Sequence, residues 1–207
     1  MSTTSSPFQV AILVFNDVEA LDLAGPYEVF TTASRMHRRR QPAPAQDLFT
    51  VQCVAREMTP VRARAGLRVL PEADFASAIA PNVLIVPGGV VDAAMACPHT
   101  LAWIARAAAG AQITASVCTG AFLLAAAGVV TTGPVTTHWE DVADLRAQFP
   151  ALSVQEHVRW VDQGALVTSA GISAGIDMSL HLVARLAGTE LAARTARQMD
   201  FAWTTKP

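Results

Sequence analysis

Hydrophobic positions along the chain switch repeatedly between two rhythms. Val10-Ala11-Ile12-Leu13-Val14-Phe15 is an unbroken apolar run closed by Asn16-Asp17, the pattern of a parallel strand covered on both faces. From Asp22 the spacing becomes helical: Leu23, Tyr27, Phe30 and Ala33 share one face, and Pro26 suits a first turn. Leu48 to Ala55 predicts a second strand, and the alternation from Arg62 to Leu70, broken at Gly66, predicts a hairpin on the sheet's margin. Val83-Leu84-Ile85-Val86 is a further buried strand ending at Pro87-Gly88-Gly89, after which Pro98 opens a helix with Leu101, Ile104, Ala105 and Ala108 on one side.

The rhythm continues with a strand from Gln112 to Val117 and a helix from Thr119 to Ala127, closed by Gly128. Val135-Thr136-Thr137 predicts a short strand, and Asp141 to Phe149 an amphipathic helix stopped by Pro150. Val158 to Val161 and Ala165 to Thr168, joined through Asp162-Gln163-Gly164, form a hairpin pattern, and helices from Gly175 to Leu186 and from Glu190 to Met199 follow. Strands alternating with helices imply an α/β fold, a mostly parallel central sheet with helices on both faces in a single domain. We place that domain at residues 9–207, behind a flexible N-terminal segment at residues 1–8.

Composition narrows the class. A chain of 207 residues buries about 70% of its unfolded surface and needs no covalent staples. With 52% hydrophobic and 15% charged residues it is more apolar than an ordinary soluble domain, which points to a well-covered sheet and a hidden subunit interface. No apolar run reaches the roughly 18 residues a membrane span needs, and Met1 to Pro7 lacks the basic start and apolar core of a secretory signal, so a cytoplasmic location is expected. A net charge of -2 argues against a nucleic-acid surface. The single basic run, Arg38-Arg39-Arg40, stands before the loop pattern Gln41 to Gln46 and reads as a solvated helix end. Three cysteines, Cys53, Cys97 and Cys118, lack metal-finger spacing and pairing number for a disulfide framework.

The chemistry gathers at strand ends, where ligands bind in parallel sheets. Cys118 stands between a strand and the helix that follows, a corner where the first free N–H groups and the positive helix end favour a thiolate nucleophile. By position alone it is equally a small packing residue. Gly88-Gly89 occupies the corresponding place after another strand; its backbone N–H groups, together with that of Thr119, could stabilise an oxyanion, although a glycine pair alone is more often a tight turn. Asp22 follows the first strand between Leu21 and Leu23, placed either to cap the helix or, partly desolvated, to share a proton with the thiol. His37, His99, His157 and His181 show no zinc spacing, and Cys53 and Cys97 read as inert.

Asp22 in L-D-L-A-G-P-Y-E-V-F, the Pro87-Gly88-Gly89 turn, Ser116-Val117-Cys118-Thr119-Gly120-Ala121, Thr136-Thr137-His138-Trp139 and Ala170 to Asp177 together resemble the ThiJ/PfpI (class I glutamine amidotransferase-like) superfamily. Within it they are most similar to the isocyanide hydratase branch. That resemblance implies a flavodoxin-like three-layer sandwich and a homodimer with no metal or organic cofactor. It also implies a small-molecule hydratase in which Cys118 is the nucleophile, Asp22 its proton-handling partner, and the N–H groups of Gly89 and Thr119 stabilise negative charge. Protease-like members carry histidine directly after the cysteine; Thr119 stands there instead, so a peptidase is not expected. His138 lies where other members hold a histidine near the cysteine, and is either a supporting catalytic group or a packing residue beside Trp139. Asp177 is expected to brace the late helix rather than to catalyse, and Leu21, Trp139 and Ile172 suit a hydrophobic substituent. Two other functions remain open: glyoxalase or deglycase action on reactive aldehydes, and a redox- or ligand-sensing module like the sensory half of certain helix-turn-helix regulators. A chain stopping at Pro207 leaves no expected room for a DNA-binding domain.

Overall fold

Seven strands form one sheet at the centre of the computed structural model, which describes residues 6–42 and 46–206. The chain runs β1 (Phe8–Leu13), α1 (Ala20–Arg38), β2 (Phe49–Ala55), β3 (Val61–Arg62), β4 (Arg68–Val69), β5 (Ala73–Asp74) and β6 (Val83–Val86). It continues through α2 (Asp92–Met95), α3 (Pro98–Gly110), β7 (Ile113–Val117), α4 (Gly120–Ala126) and β8 (Gly133–Val135). After one 3-10 turn at Trp139–Asp141 come α5 (Val142–Gln148), β9 (Leu152–Val154), β10 (Trp160–Asp162), β11 (Leu166–Ser169), α6 (Ala174–Ala187) and α7 (Thr189–Gln198). Residues 1–5 of the expected N-terminal segment and 43–45 of the expected loop lie outside the described residues.

The sheet order is β10-β11-β7-β6-β1-β2-β5, antiparallel only where β10 joins β11. Without the short edges, the five inner strands follow the 2-1-3-4-5 order of flavodoxin-like sheets. The central strands alternate between two cores. Val10, Ile12, Val83 and Ile85 pack towards α1, α6 and α7; Ala11, Leu13, Leu84 and Val86 pack towards α3 and α4. That two-sided burial is why the apolar runs of β1 and β6 show no polar alternation.

The order places a topological switch between β1 and β6, because α1 leaves on one face of the sheet and α2 and α3 on the other. The carboxyl ends of β1, β6 and β7 therefore open side by side. Several sequence expectations shift here. Helix α1 begins at Ala20, so Pro26 sits inside it rather than in its first turn, and Glu19, not Asp22, is the residue before the helix. In α3 the expected face holds for Ile104, which is buried, and for Leu101 and Ala108, which pack against the same core; Thr100 and Trp103 are buried as well, Trp103 stacking on Phe75 with ring centroids 4.8 Å apart. The segment expected as a strand at Val135-Thr136-Thr137 contributes only Val135, in a separate pair with β9. Arg38 pairs with Asp47 at 3.0 Å and Arg40 with Glu190, as a solvated helix end should.

Candidate active site

Cys118 forms the corner between β7 and α4 in a conformation a non-glycine residue rarely adopts, with φ of 56°. Such backbone costs about 1 kcal/mol or more and must be held from outside. Two neighbours hold it: the Cys118 N–H donates to the Ser169 carbonyl at 3.1 Å, and the Thr137 hydroxyl donates to the Cys118 carbonyl at 2.9 Å. A strained strand-to-helix turn of this kind lifts a nucleophile out of the sheet.

From the adjacent strand end, the Gly88 N–H donates to Asp22 Oδ2 at 3.1 Å. The Gly89 N–H donates to Thr119 Oγ1 at 2.8 Å, and the Thr119 hydroxyl returns a bond to the Gly89 carbonyl at 2.9 Å. Both glycine N–H groups are thus already engaged, one orienting the acid and one locking the β6 and β7 loops together. Of the three N–H groups expected to face an oxyanion, only that of Thr119 is directed at the Cys118 sulfur. Glycine at position 88 is required by space: a Cβ there would lie 2.5 Å from the Thr119 nitrogen and 2.9 Å from Cys118 Cβ.

Comparison with known proteins now decides the family, since the sequence profile of the DJ-1/PfpI family matches residues 8–185. The chain belongs to the DJ-1/PfpI family. Its relatives include the isonitrile hydratase of Pseudomonas putida, 34% identical over 94% of this chain and 78% of that protein. They also include the HTH-type transcriptional regulator GbdR of Pseudomonas aeruginosa, 29% identical over 91% of this chain, which spans only 49% of the regulator. A crystal structure of a ThiJ/PfpI family protein from Pseudomonas syringae superposes with a TM-score of 0.82 at 30% identity, covering 96% of this chain and 77% of that one.

In this DJ-1/PfpI domain the acid and the thiol are both buried, Asp22 fully and Cys118 to within 7% exposure. Burial pushes the Asp22 carboxyl up from 3.8 to about 7, against the pull of the Gly88 N–H; the Glu19 charge raises it further and Cys118 lowers it. Its second oxygen, Oδ1, is buried without a hydrogen-bond partner. Burial likewise pushes the Cys118 thiol up to about 12, aided by the Asp22 charge and opposed by the Thr119 N–H. The expected standing thiolate is therefore corrected: desolvation and a neighbouring carboxylate outweigh the end of a seven-residue helix. Cys118 rests as a thiol beside an acid that titrates near neutrality.

His138 joins the thiol at the far wall of the same cleft. A Cβ on Gly171 would lie 2.4 Å from His138 Cδ2 and 3.0 Å from Cys118 Sγ, so ring and sulfur flank that one glycine. His138 Nδ1 lies 3.4 Å from Asp141 Oδ2 and accepts the Glu140 N–H at 3.4 Å. The cleft itself holds about 320 Å³ and is lined by Cys118, Thr119, His138, Phe122 and Ile172 among others. Of the three apolar residues expected to receive a substituent, only Ile172 lines it; Trp139 is 76% exposed and borders a neighbouring hollow, and Leu21 is 41% exposed. Gly171 lies inside the Ala170 to Asp177 motif but carried no role of its own, and Glu19 and Asp141 were not expected at the site, their only signal being closeness in sequence to Asp22 and His138.

Asp177 is buried and takes an ion pair from Arg159 and the Thr204 N–H at 2.7 Å, bracing the C-terminal segment against α6. Among the described residues, no cluster of His, Cys, Asp and Glu could hold a metal ion and no helix is long and apolar enough to cross a membrane. Cys53 fits its core assignment, with burial raising its thiol to about 12. Cys97 stands before α3, where the Thr100 hydroxyl and N–H, with Arg56, lower its thiol below the ordinary value. At pH 7.5 iodoacetamide is expected to label Cys97 at least about tenfold faster than Cys118, because reaction follows the thiolate fraction. A peptide-mass time course checks this, and equal labelling would contradict the buried-thiol state of Cys118.

Proposed function

We propose that the chain is a cysteine-dependent hydratase of a small electrophile, converting an isocyanide to an N-substituted formamide, and that it works as a cytoplasmic homodimer. The observation that carries the reading is the placement of Asp22: a buried carboxyl raised to about 7, held by the Gly88 N–H beside a thiol that burial pushes up to about 12. The similarity to an isonitrile hydratase over 94% of the chain supports it, an isonitrile being an isocyanide by another name.

Asp22 carboxylate takes the Cys118 thiol proton, and the sulfur attacks the terminal carbon of the isocyanide, forming the C–S bond. The carbon's electron pair then takes that proton back from Asp22, which leaves a thioimidate on Cys118. Asp22, again a carboxylate, activates water for addition to the imidate carbon. One water proton passes to nitrogen and the other to sulfur as the C–S bond breaks, releasing the formamide. The Thr119 N–H faces the sulfur in both half-reactions.

Productive chemistry needs one proton on the Asp22–Cys118 pair, whichever group holds it. The value of kcat/KM is accordingly expected to rise about tenfold per pH unit below pH 7 and level off above it, because the pair loses its first proton near 7 and its second only near 12. A profile flat from pH 5 to 8 would remove Asp22 from the reaction. The decisive test of the function is Cys118→Ala with an alkyl or aryl isocyanide: turnover should vanish, and the wild-type Cys118 peptide should carry the adduct mass when quenched during turnover. Retained turnover sinks the assignment.

One observation favours a second reading. The GbdR match places a domain like this one in about half of a regulator's length, which suits a ligand-sensing module. Binding of an isocyanide or other small ligand without product formation would support it. An oxidation sensor at Cys118 is disfavoured, since a thiol raised to about 12 carries little of the thiolate that peroxide attacks.

A further inference from the structure

The cleft over Cys118 carries a charge balance unlike that of the whole protein. Across the chain 17 acidic residues nearly offset 15 basic ones. Around the cleft, Glu19, Asp92, Glu140, Asp141 and Asp144 are set against Arg64, the only lysine or arginine lining it among the described residues. Arg64 belongs to the β3–β4 hairpin region, has a side chain 63% exposed, and reaches only Glu19, at 3.9 Å. His138 neighbours Asp141 and Glu140, so Asp92 and Asp144 have no salt-bridge partner among the described residues. Asp141 itself is held above its ordinary value by burial, which outweighs the lowering effect of its His138 neighbour; the charges of Asp144 and Glu140 add smaller upward pushes.

These carboxylates come from the residue before α1, from α2, the turn before α5, and α5 itself, so no single helix or loop accounts for them. They converge because four segments meet over the nucleophile. A concave site lined by one sign of charge raises the local concentration of the opposite charge and repels its own. We propose that the cleft selects a substrate bearing a cationic group, such as an ammonium-substituted electrophile, and rejects carboxylate-bearing analogues, with Glu140 and Asp144 as specificity-determining residues. This inference rests on the hydratase reading for its reaction but not for its charge preference. It replaces the apolar-substituent expectation drawn from Leu21, Trp139 and Ile172.

The experiment measures charge selectivity at Cys118 directly, in a Cys97→Ser background. Methanethiosulfonates bearing a trimethylammonium or a sulfonate group react by one step: the Cys118 sulfur attacks the sulfenyl sulfur, a mixed disulfide forms, methanesulfinate leaves with the bonding pair, and the thiol proton passes to Asp22. Rates are read by intact mass and divided by those with a free small thiol. The cationic reagent is expected to be favoured at least about tenfold. That ratio should fall towards one in the Glu140→Gln/Asp144→Asn variant and in 1 M sodium chloride. In turnover, an ammonium-bearing isocyanide should exceed an isocyanoacetate in kcat/KM by a similar factor. Equal normalised labelling rates in the parent, or a ratio indifferent to the double variant, overturn the proposal. Selective labelling with no isocyanide turned over at all supports the charge preference and removes the hydratase reading alone.

Discussion

Asp22→Asn is expected to lower kcat/KM for an isocyanide by about 10³-fold, within the range of a lost general acid–base, while the protein remains folded. The asparagine keeps an acceptor for the Gly88 N–H, so the loop holding Cys118 need not move. What disappears is the group that exchanges a proton with the thiol. The same substitution should reshape stability against pH. A buried acid raised from 3.8 to about 7 binds its proton more tightly in the folded state, so wild-type stability declines as pH rises from about 4 to 7 and then levels off. The full penalty is on the order of 4 kcal/mol. Asparagine has no such dependence, though its buried amide donors cost about 1–3 kcal/mol at every pH. Denaturant unfolding at pH 4 and pH 8 reads both effects: wild type is expected to lead at pH 4 and to lose that lead by pH 8. A constant difference between the two proteins would mean that Asp22 titrates normally.

This trade explains why so much of the site was legible in the sequence, the desolvated acid at Asp22 included, and why the protonation of the thiol was not. Strands β1 and β6 carry unbroken apolar runs and β7 reads as a buried strand, and the segments that follow them carry Asp22, Gly88 and Cys118; all three could therefore be placed on one sheet edge from chain order. The state of Cys118 depends on the burial and the charge that Asp22 and Asp141 contribute across space, neither of which a helix-end argument contains. The burial of Trp103 beside the expected face of α3 was hidden for the same reason, since Phe75 arrives from the β5 region to cover it. Short elements without an unbroken apolar run, such as β5, α2 and β9, are too brief for either rhythm to register. The acidic rim was hidden because its members come from separated segments, each of which alone is an ordinary polar stretch.

Two glycines near Cys118 should separate the fold from the site. A Cβ at Gly120 would sit 2.0 Å from the Val86 carbonyl oxygen and 3.0 Å from that of Pro87, so α4 would have to back away from the end of β6. Neither atom is the tip of a flexible side chain. Gly120→Ala is expected to destabilise the protein by about 3 kcal/mol and to displace the corner carrying Cys118. At Gly171 the added Cβ would meet no backbone atom among its nearest neighbours; it would press on His138 Cδ2 at 2.4 Å and fill the space 3.0 Å from the Cys118 sulfur. The His138 side chain is 18% exposed and borders the cleft, so it has somewhere to turn. Gly171→Ala should therefore keep its unfolding midpoint within a few degrees of wild type while losing at least about 10²-fold in kcat/KM, because the methyl group crowds the sulfur and turns the His138 ring away from its place. Thermal unfolding and turnover measured on both variants give a crossed result, with stability lost in one and catalysis alone in the other. If Gly171→Ala turned over at the wild-type rate, neither the place of the His138 ring nor the space beside the Cys118 sulfur would matter to the reaction.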